Sequence, residues 1–318
     1  MKVILNLNFG EEFVEDLGAS FPEVKFVRAK SVEEQLREIE DAEVYFGLPP
    51  KEVFLAAKSL RWLQYHGTGI DLLLDTLPEI VQSDVILTNV RGPHANPMAD
   101  HVFAMMLALA HHIPELSQDQ RAHRWEADKY SGEMVELYGS TMGIHGLGDI
   151  GLALARRAHG FGMEVYAVDI RPQSPPSEVR EVWREDKLDE LIGLSDWFVV
   201  TLPLTSQTRG LIDRRRIGLM KPGAYIIVVS RGGIVDEEAL VEALRSGGVA
   251  GAGLDVMAEE PLPSTSPLWD LDNVVLSPHA SALSSRMREG RKEVIKENLR
   301  RYLAGEPFLY VCDKKAGF

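Results

Sequence analysis

The sequence predicts an α/β protein with two parallel-sheet domains. Short β-type runs alternate with amphipathic helical stretches from the first residue onward, a pattern that produces parallel sheets covered by helices. The length of 318 residues is about twice that of a usual single domain. Hydrophobic residues make up 45% and charged residues 26%, as in an ordinary globular chain. We therefore expect two domains, each with its own core.

Strand predictions follow the β-type runs in chain order. In the first half they are 2–8, 25–29, 44–47, 62–66 and 86–89, and in the second half 141–145, 164–169, 197–202, 224–230, 249–256 and 274–277. Helices are predicted between them, for example at 31–41, where Ser31 and Glu34 form a capping-box pattern. A long helical stretch is predicted at 97–124, and a last amphipathic helix at 284–303.

Composition excludes several classes of function. The net charge of -14 and the lack of a long basic tract argue against nucleic acid as a partner. A single cysteine, Cys312, rules out an internal disulfide and favours a reducing cytoplasm. The start of the chain lacks the pattern of a signal peptide, and the longest apolar run, 102–110, is too short for a membrane span. That run is expected to be a buried helix.

A glycine-rich turn follows the strand predicted at 141–145. Gly146-x-Gly148-x-x-Gly151 provides a tight turn, a close backbone approach to a pyrophosphate and a close helix-to-strand contact. Asp169 ends the next strand 23 residues after Gly146, near the spacing of about 20 that places an acid on an adenosine ribose. This pattern predicts a dinucleotide site, and the charge of Asp169 favours NAD over NADP. Arg171 could soften that preference.

A second His-Gly-x-Gly sequence, His66-Gly67-Thr68-Gly69, follows the strand predicted at 62–66. It has Leu72 where a third glycine would stand in a dinucleotide motif. The backbone N–H groups of such a loop are suited to binding a small carboxylate. A tight turn without a ligand is the simpler interpretation of this loop alone.

Arg231, Glu260 and His279 follow three successive predicted strands. The carboxyl ends of parallel strands meet at one edge of a sheet, so these side chains should converge. Arginine can bind a carboxylate bidentately, histidine exchanges a proton near neutral pH, and a carboxylate can orient the histidine. Together they suit oxidation or reduction at a carbon that bears oxygen beside a carboxylate. Taken alone, each residue is more simply explained as a surface charge or as a buried polar group that has its own hydrogen-bond partner.

Several further motifs occur in order along the chain. The full series is Gly67-Thr68-Gly69-Ile70-Asp71, Asn89-Val90-Arg91-Gly92, Met98-Ala99-Asp100-His101, the 146–151 turn, Leu202-Pro203-Leu204-Thr205 with Thr208, Ser230-Arg231-Gly232-Gly233-Ile234-Val235-Asp236, Asp255-Val256-Met257-Ala258-Glu259-Glu260-Pro261 and Ser277-Pro278-His279. With these motifs the sequence resembles the D-isomer-specific 2-hydroxyacid dehydrogenase family over nearly its whole length.

The resemblance implies a role for each site residue. Arg231 would bind substrate, His279 would be the acid/base, and Glu260 rather than Glu259 would be its partner because Glu260 directly precedes Pro261. Substrate would contact Gly67, Thr68, Gly69, Arg231 and His279. The implied cofactor contacts are Gly146, Leu147, Gly148, Asp149, Ile150, Gly151, Asp169, Leu202, Pro203, Thr208, Val229, Ser230 and Asp255, the last of which would bond the nicotinamide amide.

The resemblance also implies the domain organisation. A flavodoxin-like substrate domain would span 1–97 plus 283–318, a Rossmann-type NAD-binding domain would span 98–282, and the active site would lie in the cleft between them. The expected reaction interconverts a small D-2-hydroxy acid and its 2-oxo acid with NAD(H), as in glyoxylate or hydroxypyruvate reductases. No metal is expected, because the adjacent pair His111-His112 on a predicted helix lacks the spacing and carboxylates of a metal site.

Three positions depart from the family pattern. Val228 stands where the family usually has Asn, Asp100 replaces the usual Glu, and Ala280-Ser281 replaces a common glycine pair after the catalytic histidine. None of these changes removes a reacting group. The third occurs in branches that look like hydroxypyruvate or glyoxylate reductases.

Other functions remain open at this stage. A phosphoglycerate dehydrogenase-like activity is less favoured, because no C-terminal regulatory domain of the kind many such enzymes have is expected. A non-catalytic NAD-sensing interaction protein would keep the same fold but would not need the Arg/Glu/His set. A formate dehydrogenase would have Gln in place of Glu260.

A homodimer through the NAD-binding domains is predicted from the apolar first half of 97–124 and from Trp125.

Overall fold

The computed structural model describes all 318 residues and divides the chain into two compact units. The smaller unit comprises Met1–Pro93 and Ser284–Phe318, and the larger unit comprises His94–Leu283. The boundaries expected at 97/98 and 282/283 lie a few residues away. The first differs because the opening helix of the larger unit begins at Ala95, so that Pro97 lies in its first turn, where a missing N–H costs no hydrogen bond.

The smaller unit contains a five-stranded parallel sheet in the order β2-β1-β3-β4-β5. The strands are β1 Lys2–Asn6, β2 Lys25–Arg28, β3 Val44–Gly47, β4 Trp62–Gln64 and β5 Ile86–Thr88. Its helices are α1 Glu11–Ser20, α2 Val32–Glu38, α3 Lys51–Ala56, α4 Asp71–Thr76 and, from the end of the chain, α11 Ser285–Ala304. β3 and β4 are buried along their whole length, so this sheet is covered on both faces.

Helix α2 shows how the sequence sets a helix start. The side chain of Ser31 accepts a hydrogen bond from the backbone N–H of Glu34, and the carboxylate of Glu34 accepts one from the N–H of Ser31. This reciprocal pair satisfies two backbone donors that the first turn leaves free. The helix ends at Glu38, three residues before the predicted end at 41.

The larger unit contains a seven-stranded parallel sheet in the order β12-β11-β10-β9-β6-β7-β8. The strands are β6 Thr141–His145, β7 Glu164–Val168, β8 Glu181–Trp183, β9 Trp197–Val200, β10 Tyr225–Val228, β11 Gly251–Leu254 and β12 Val274–Leu276. The helices are α5 Ala95–Ala110, α6 Ile113–Arg121, α7 Asp149–Gly160, α8 Leu188–Leu194, α9 Arg214–Ile217 and α10 Glu237–Ser246. The expected α/β class with two parallel sheets is confirmed, and no helix combines the length and apolar composition that crossing a bilayer requires.

The single helix predicted at 97–124 is wrong, because the chain forms two helices there. α5 ends at Ala110, and His112 adopts a left-handed conformation with φ 50° before α6 begins. Pro114 explains the break: it lacks an N–H, and its ring would clash with the carbonyl of Ala110 in a continuous helix. The adjacent histidines therefore lie in a break between helices rather than on one helix.

The apolar run at 102–110 lies in α5 and is core, as predicted. Val102, Phe103, Met105, Met106 and Leu109 are buried in a cluster with strands and helices of the same unit. Because the larger unit itself covers these side chains, they leave no unpartnered apolar face. The run therefore offers no exposed apolar face to a second copy of the chain, and it does not support the predicted homodimer.

Candidate active site

The loops that follow β10, β11 and β12 all begin at the carboxyl edge of the sheet. Val228 pairs with Leu254, and Leu254 pairs with Leu276, so the three strands finish side by side. Arg231 and His279 each come three residues after these paired positions. The expected convergence of charged side chains at one sheet edge thus has a direct basis in the strand register.

His279 and Glu260 form a direct ion pair. Nδ1 of His279 lies 2.8 Å from Oε2 of Glu260, and Oε1 of Glu260 accepts a hydrogen bond of 3.0 Å from the N–H of Met257. An ionised carboxylate only accepts hydrogen bonds, so the proton of the pair belongs on Nδ1. Nε2 of His279 is therefore the nitrogen that can exchange a proton with a substrate. The side chains of His279 and Glu260 are 45% and 37% exposed, so solvent reaches both.

The loop of Arg231 packs closely against the loop that leads to Glu260. A Cβ added to Gly232 would lie 1.6 Å from the carbonyl oxygen of Met257, so only glycine fits between the loops after β10 and β11. Nη1 of Arg231 donates a 2.8 Å hydrogen bond to the carbonyl of Ser230. The contact at Gly232 joins the arginine loop to the loop that leads to Glu260.

The glycine-rich turn joins β6 to α7. A Cβ on Gly151 would lie 2.3 Å from the carbonyl oxygen of Gly146, so the third glycine permits the close helix-to-strand contact. Gly148 is the N-cap of α7 and makes no side-chain cap, while the space beside its α-carbon is open within 4 Å. The start of α7 therefore has room beside its N-cap for a pyrophosphate, which the dipole of the helix would favour.

Asp169 follows β7 and turns back to this loop. Its Oδ2 accepts a hydrogen bond of 2.7 Å from the N–H of Leu147, and its Oδ1 accepts one of 2.8 Å from the N–H of Arg171. Each carboxylate oxygen has two lone pairs, so each can accept one more donor, such as a ribose hydroxyl. The turn, the helix start and this acid together fit a dinucleotide.

Comparison with known proteins decides the family. Residues 103–281 match the NAD binding domain of D-isomer specific 2-hydroxyacid dehydrogenases. A glyoxylate reductase of Pyrococcus furiosus is 37% identical over 262 residues, which cover 80% of this chain and 76% of that protein. The chain belongs to this family.

Members of the 2-hydroxyacid dehydrogenase family also share the fold over the full chain. A family member from Xanthobacter autotrophicus, in complex with NADPH and MES, has a TM-score of 0.85 and 31% identity, covering 100% of this chain and 99% of that one. An NADPH-dependent glyoxylate/hydroxypyruvate reductase from Sinorhizobium meliloti has the same TM-score, 29% identity and the same coverage. A D-3-phosphoglycerate dehydrogenase of Methanocaldococcus jannaschii is 33% identical over 89% of this chain but only 54% of that protein.

The other residues that the family resemblance implies as cofactor contacts have different surroundings in the structure. Leu202 and Val229 are 9% and 1% exposed, and Val229 packs in the core. The hydroxyl of Thr208 donates to the carbonyl of Pro203 and accepts from the N–H of Thr205, so it holds its own loop. The buried hydroxyl of Ser230 has no hydrogen-bond partner in the protein, which leaves it available to a bound group.

Asp255 has a role that the sequence did not reveal. Its side chain is fully buried, and its carboxylate accepts hydrogen bonds from the hydroxyl of Ser277 and from the N–H groups of Ala280 and Ser281. His101 on α5 also contacts this group through Ser277. The only signal in the sequence was the presence of His101 and Ser277 within family motifs, which does not reveal that they meet. A contact of Asp255 with a nicotinamide amide stays a prediction.

The loop of Gly67, Thr68 and Gly69 belongs to the smaller unit, after β4. Asn89 donates a side-chain hydrogen bond of 2.6 Å to the carbonyl of Thr68, and the N–H of Val90 donates to the carbonyl of Gly67. No protein acceptor takes the N–H groups of the three loop residues, which leaves these donors for a carboxylate. Burial, followed by the nearby charge of Arg291, lowers the pKa of His66 beside this loop.

The three departures from the family pattern contribute no side-chain acid, base or substrate ligand to the site. Val228 is a buried core residue of β10. Asp100 forms an ion pair of 2.7 Å with Arg157 on α7, which joins two helices of the larger unit. Ala280 and Ser281 contribute backbone N–H groups to Asp255.

Gly232→Ala tests whether the contact between loops sets the site. The added methyl group cannot fit against Met257, so the loops of Arg231 and Glu260 must move apart. We expect kcat/KM to fall about 100-fold, the scale of a displacement of about 1 Å at a reacting group. Gly248→Ala is the matched control, since its nearest heavy atom would be 3.6 Å away. Equal activity of the two variants in a steady-state assay would contradict this role of the contact.

Proposed function

We propose that this protein reduces a small 2-oxo acid to its D-2-hydroxy acid with NADH. The observation that carries the proposal is the His279–Glu260 pair at 2.8 Å, on the same parallel sheet as a turn that fits a dinucleotide. The relatives named as glyoxylate reductases and the neighbour named as a glyoxylate/hydroxypyruvate reductase support glyoxylate and hydroxypyruvate as substrates.

Substrate binding is assigned to the free N–H groups of Gly67, Thr68 and Gly69 and to Arg231. These N–H groups and the guanidinium of Arg231 would hold the carboxylate of the 2-oxo acid. The net charge of -14 opposes the approach of an anion, so binding must depend on these local donors.

The reaction transfers a hydride and a proton to the carbonyl group. A bound NADH would supply the hydride to the carbonyl carbon, and it would leave as NAD⁺. Nε2 of His279 donates its proton to the carbonyl oxygen as negative charge develops there. Glu260 stabilises the imidazolium before transfer and keeps the ring oriented through Nδ1. Arg231 also stabilises the charge on the oxygen in the transition state.

Binding of the dinucleotide is assigned to the turn and to Asp169. The N–H groups at the start of α7, within 146–151, would hold the pyrophosphate, and Asp169 would accept the ribose hydroxyls. Further contacts are assigned to Leu202, Pro203, Thr208, Val229, Ser230 and Asp255. Ser230 is the best supported of these, because its buried hydroxyl has no partner in the protein.

A substrate screen tests the proposed function directly. Glyoxylate, hydroxypyruvate, pyruvate and branched 2-oxo acids are each mixed with the protein and NADH, and the loss of NADH absorbance is followed. We expect turnover of glyoxylate or hydroxypyruvate, with the D-isomer as product of the latter. Absence of turnover with every 2-oxo acid would favour the non-catalytic NAD-sensing alternative.

A second candidate substrate has specific support. Relatives named as D-3-phosphoglycerate dehydrogenases are 33% to 37% identical to this chain, although the chain spans only 47% to 54% of their length. The oxidation of D-3-phosphoglycerate with NAD⁺ belongs in the same screen. A higher kcat/KM for this substrate than for any unphosphorylated acid would replace the reductase assignment.

His279→Ala separates chemistry from cofactor binding. Loss of the proton donor should lower kcat by at least about 100-fold, the lower range for a general acid. The dissociation constant of NADH, measured by fluorescence titration, should stay within about twofold, since the dinucleotide contacts assigned above are unchanged. His159→Ala, an exposed histidine on α7, is the control. Near-normal activity of His279→Ala toward every accepted 2-oxo acid would refute the assignment.

The cofactor preference follows from the charge of Asp169. Its carboxylate can accept hydrogen bonds from a ribose but repels a 2′-phosphate, so NADH should be preferred over NADPH. Charge repulsion of about 1.4 kcal/mol corresponds to a tenfold preference in kcat/KM. Several structural neighbours are complexes with NADP or NADPH, which makes this comparison decisive. A higher kcat/KM with NADPH would overturn the role of Asp169, and Arg171→Ala would show whether Arg171 is the cause.

The assembly we propose is a homodimer through the larger units. The support is the exposed apolar side chains of the segment after α5, which are Ile113, Trp125, Met134 and Tyr138 at 50%, 98%, 43% and 78% exposure. The buried carboxylate of Asp119 accepts hydrogen bonds from Arg124, Lys129 and Tyr130, so it holds this segment in place. A second copy of the chain would cover these side chains.

Light scattering on the Trp125→Asp variant tests the dimer. We expect a dimer for the unmodified protein at micromolar concentration and a shift toward monomer for the variant, because a buried unpaired charge is costly. Trp269→Asp is the control, since Trp269 is also exposed, at 55%, but lies outside the segment. A monomeric unmodified protein would refute the dimer.

We also propose that the protein acts in a reducing compartment, with the cytoplasm as the expected location. The support is its single cysteine, which burial keeps as a thiol by raising the pKa of Cys312 to about 12.

A further inference from the structure

His279 has an unusual backbone conformation. Its φ is 52°, in the left-handed region that residues other than glycine rarely adopt. Its N–H donates to the carbonyls of Asp255 and Ser277, at 2.8 and 3.1 Å. A residue in this conformation keeps it only when the surrounding structure holds it there. The groups that hold this turn therefore determine where the imidazole ring lies.

The turn is organised around the buried carboxylate of Asp255. Oδ1 accepts hydrogen bonds from the hydroxyl of Ser277 at 2.5 Å and from the N–H groups of Ala280 and Ser281 at 2.8 and 3.2 Å. Oδ2 accepts a second, 3.1 Å hydrogen bond from the N–H of Ser281. Ser277 lies two residues before His279, and Ala280 and Ser281 follow it directly, so one carboxylate fixes the backbone on both sides of His279.

His101 adds a further link from α5. Its Nε2 lies 2.8 Å from the hydroxyl oxygen of Ser277 and 3.8 Å from Oδ1 of Asp255. Ser277 has one hydroxyl proton, and the carboxylate can only accept, so this proton belongs to the hydrogen bond with Asp255. Nε2 of His101 must then bear a proton and donate it to Ser277. The result is a hydrogen-bond chain in which His101 donates to Ser277 and Ser277 donates to Asp255.

We propose that His101 and Ser277 are positioning residues for His279, which act through Asp255. Neither residue contacts the imidazole ring of His279; both contact the turn only through Asp255 and Ser277. Ser277 supplies the only side-chain donor that fixes the carboxylate, and His101 anchors Ser277 to a helix packed in the core of the larger unit. Without this anchor the carboxylate can rotate, and the N–H groups of Ala280 and Ser281 lose their fixed acceptor. The inference rests on the proposed function of His279 as proton donor.

Paired variants test the proposal. Ser277→Ala and His101→Leu each break the hydrogen-bond chain. In the conservative pair, Ser277→Thr keeps the hydroxyl, and His101→Gln keeps an N–H donor near the position of Nε2. We expect the first pair to lower kcat by roughly 10- to 100-fold, as for a reacting group displaced by up to 1 Å. KM for the 2-oxo acid should change little, because Arg231 and the 67–69 loop, which are assigned to its carboxylate, are unchanged. The conservative pair should recover most of kcat. Asp255 is left unchanged because it is also a predicted cofactor contact.

Asp100→Asn is the matched control. Asp100 precedes His101 on α5 and joins this helix to Arg157, so its loss disturbs the same helix without touching the chain to His279. An equal fall of kcat in Asp100→Asn would show a general effect of α5 and would overturn the proposal. An unchanged kcat in both Ser277→Ala and His101→Leu would also overturn it. If Ser277→Ala does not fold, His101→Leu, one link farther from the turn, provides the same comparison with His101→Gln.

A readout without turnover separates this proposal from the proposed function. In protein labelled with ¹⁵N-histidine, NMR of the ring nitrogens should show His101 with a proton on Nε2 and His279 with a proton on Nδ1. Ser277→Ala should broaden or shift the His279 signals, and Asp100→Asn should not. Unchanged His279 signals in Ser277→Ala would overturn the positioning role even if the enzyme is active. Changed signals in a protein that reduces no 2-oxo acid would support the positioning role and refute the function.

Discussion

The buried carboxylate of Asp255 is the constraint on which the reactive end of the larger sheet depends. A buried charge is tolerated only when hydrogen bonds satisfy it, and this one takes its donors from the turn that contains His279. The backbone carbonyl of the same residue accepts the N–H of His279. The requirement to satisfy one charge therefore shapes the loop that presents the imidazole.

From this point the contacts continue through the neighbouring loops. Nδ1 of His279 contacts Glu260, Glu260 accepts the N–H of Met257, and the carbonyl of Met257 packs against Gly232. Arg231 stands next to Gly232, so the three chemical groups belong to one connected set of loops. The dinucleotide turn uses other strands of the same parallel sheet. All of these sites lie at the carboxyl ends of strands, where parallel sheets place ligands.

The sequence predicted most of the fold, because periodicity and turn residues agree along most of the chain. β6 was predicted at its observed bounds, since Gly146 ends it sharply. β3 was also predicted at its observed bounds, whereas nine other strands were predicted one or two residues too long at their carboxyl ends, because side-chain pattern alone does not show where pairing stops. The break between α5 and α6 was missed because apolar periodicity outweighed Pro114, and β8 was missed because it is short and partly exposed. The family and the two-sheet class are confirmed.

The candidate site was predictable where a strand end and a family motif mark the same residue. The family resemblance implied Glu260 rather than Glu259, and Glu260 is the residue that contacts His279. The chain from His101 through Ser277 to Asp255 could not be predicted, because residues 176 positions apart meet only through the packing of α5 against the sheet. The buried state of Asp255 was hidden for the same reason, as a charged residue in a strand end gives no sign of its burial.

The pH dependence of both reaction directions tests the central claim, that His279 paired with Glu260 exchanges the proton. Rates of 2-oxo acid reduction with NADH and of 2-hydroxy acid oxidation with NAD⁺ are measured across the neutral range. Reduction needs protonated His279 and should fall as pH rises, while oxidation needs the neutral ring and should increase. Glu260→Gln should lower the rates in both directions, because the amide can still orient the ring through Nδ1 but no longer supplies a negative charge beside it. Parallel profiles in the two directions, unchanged by Glu260→Gln, would contradict the account.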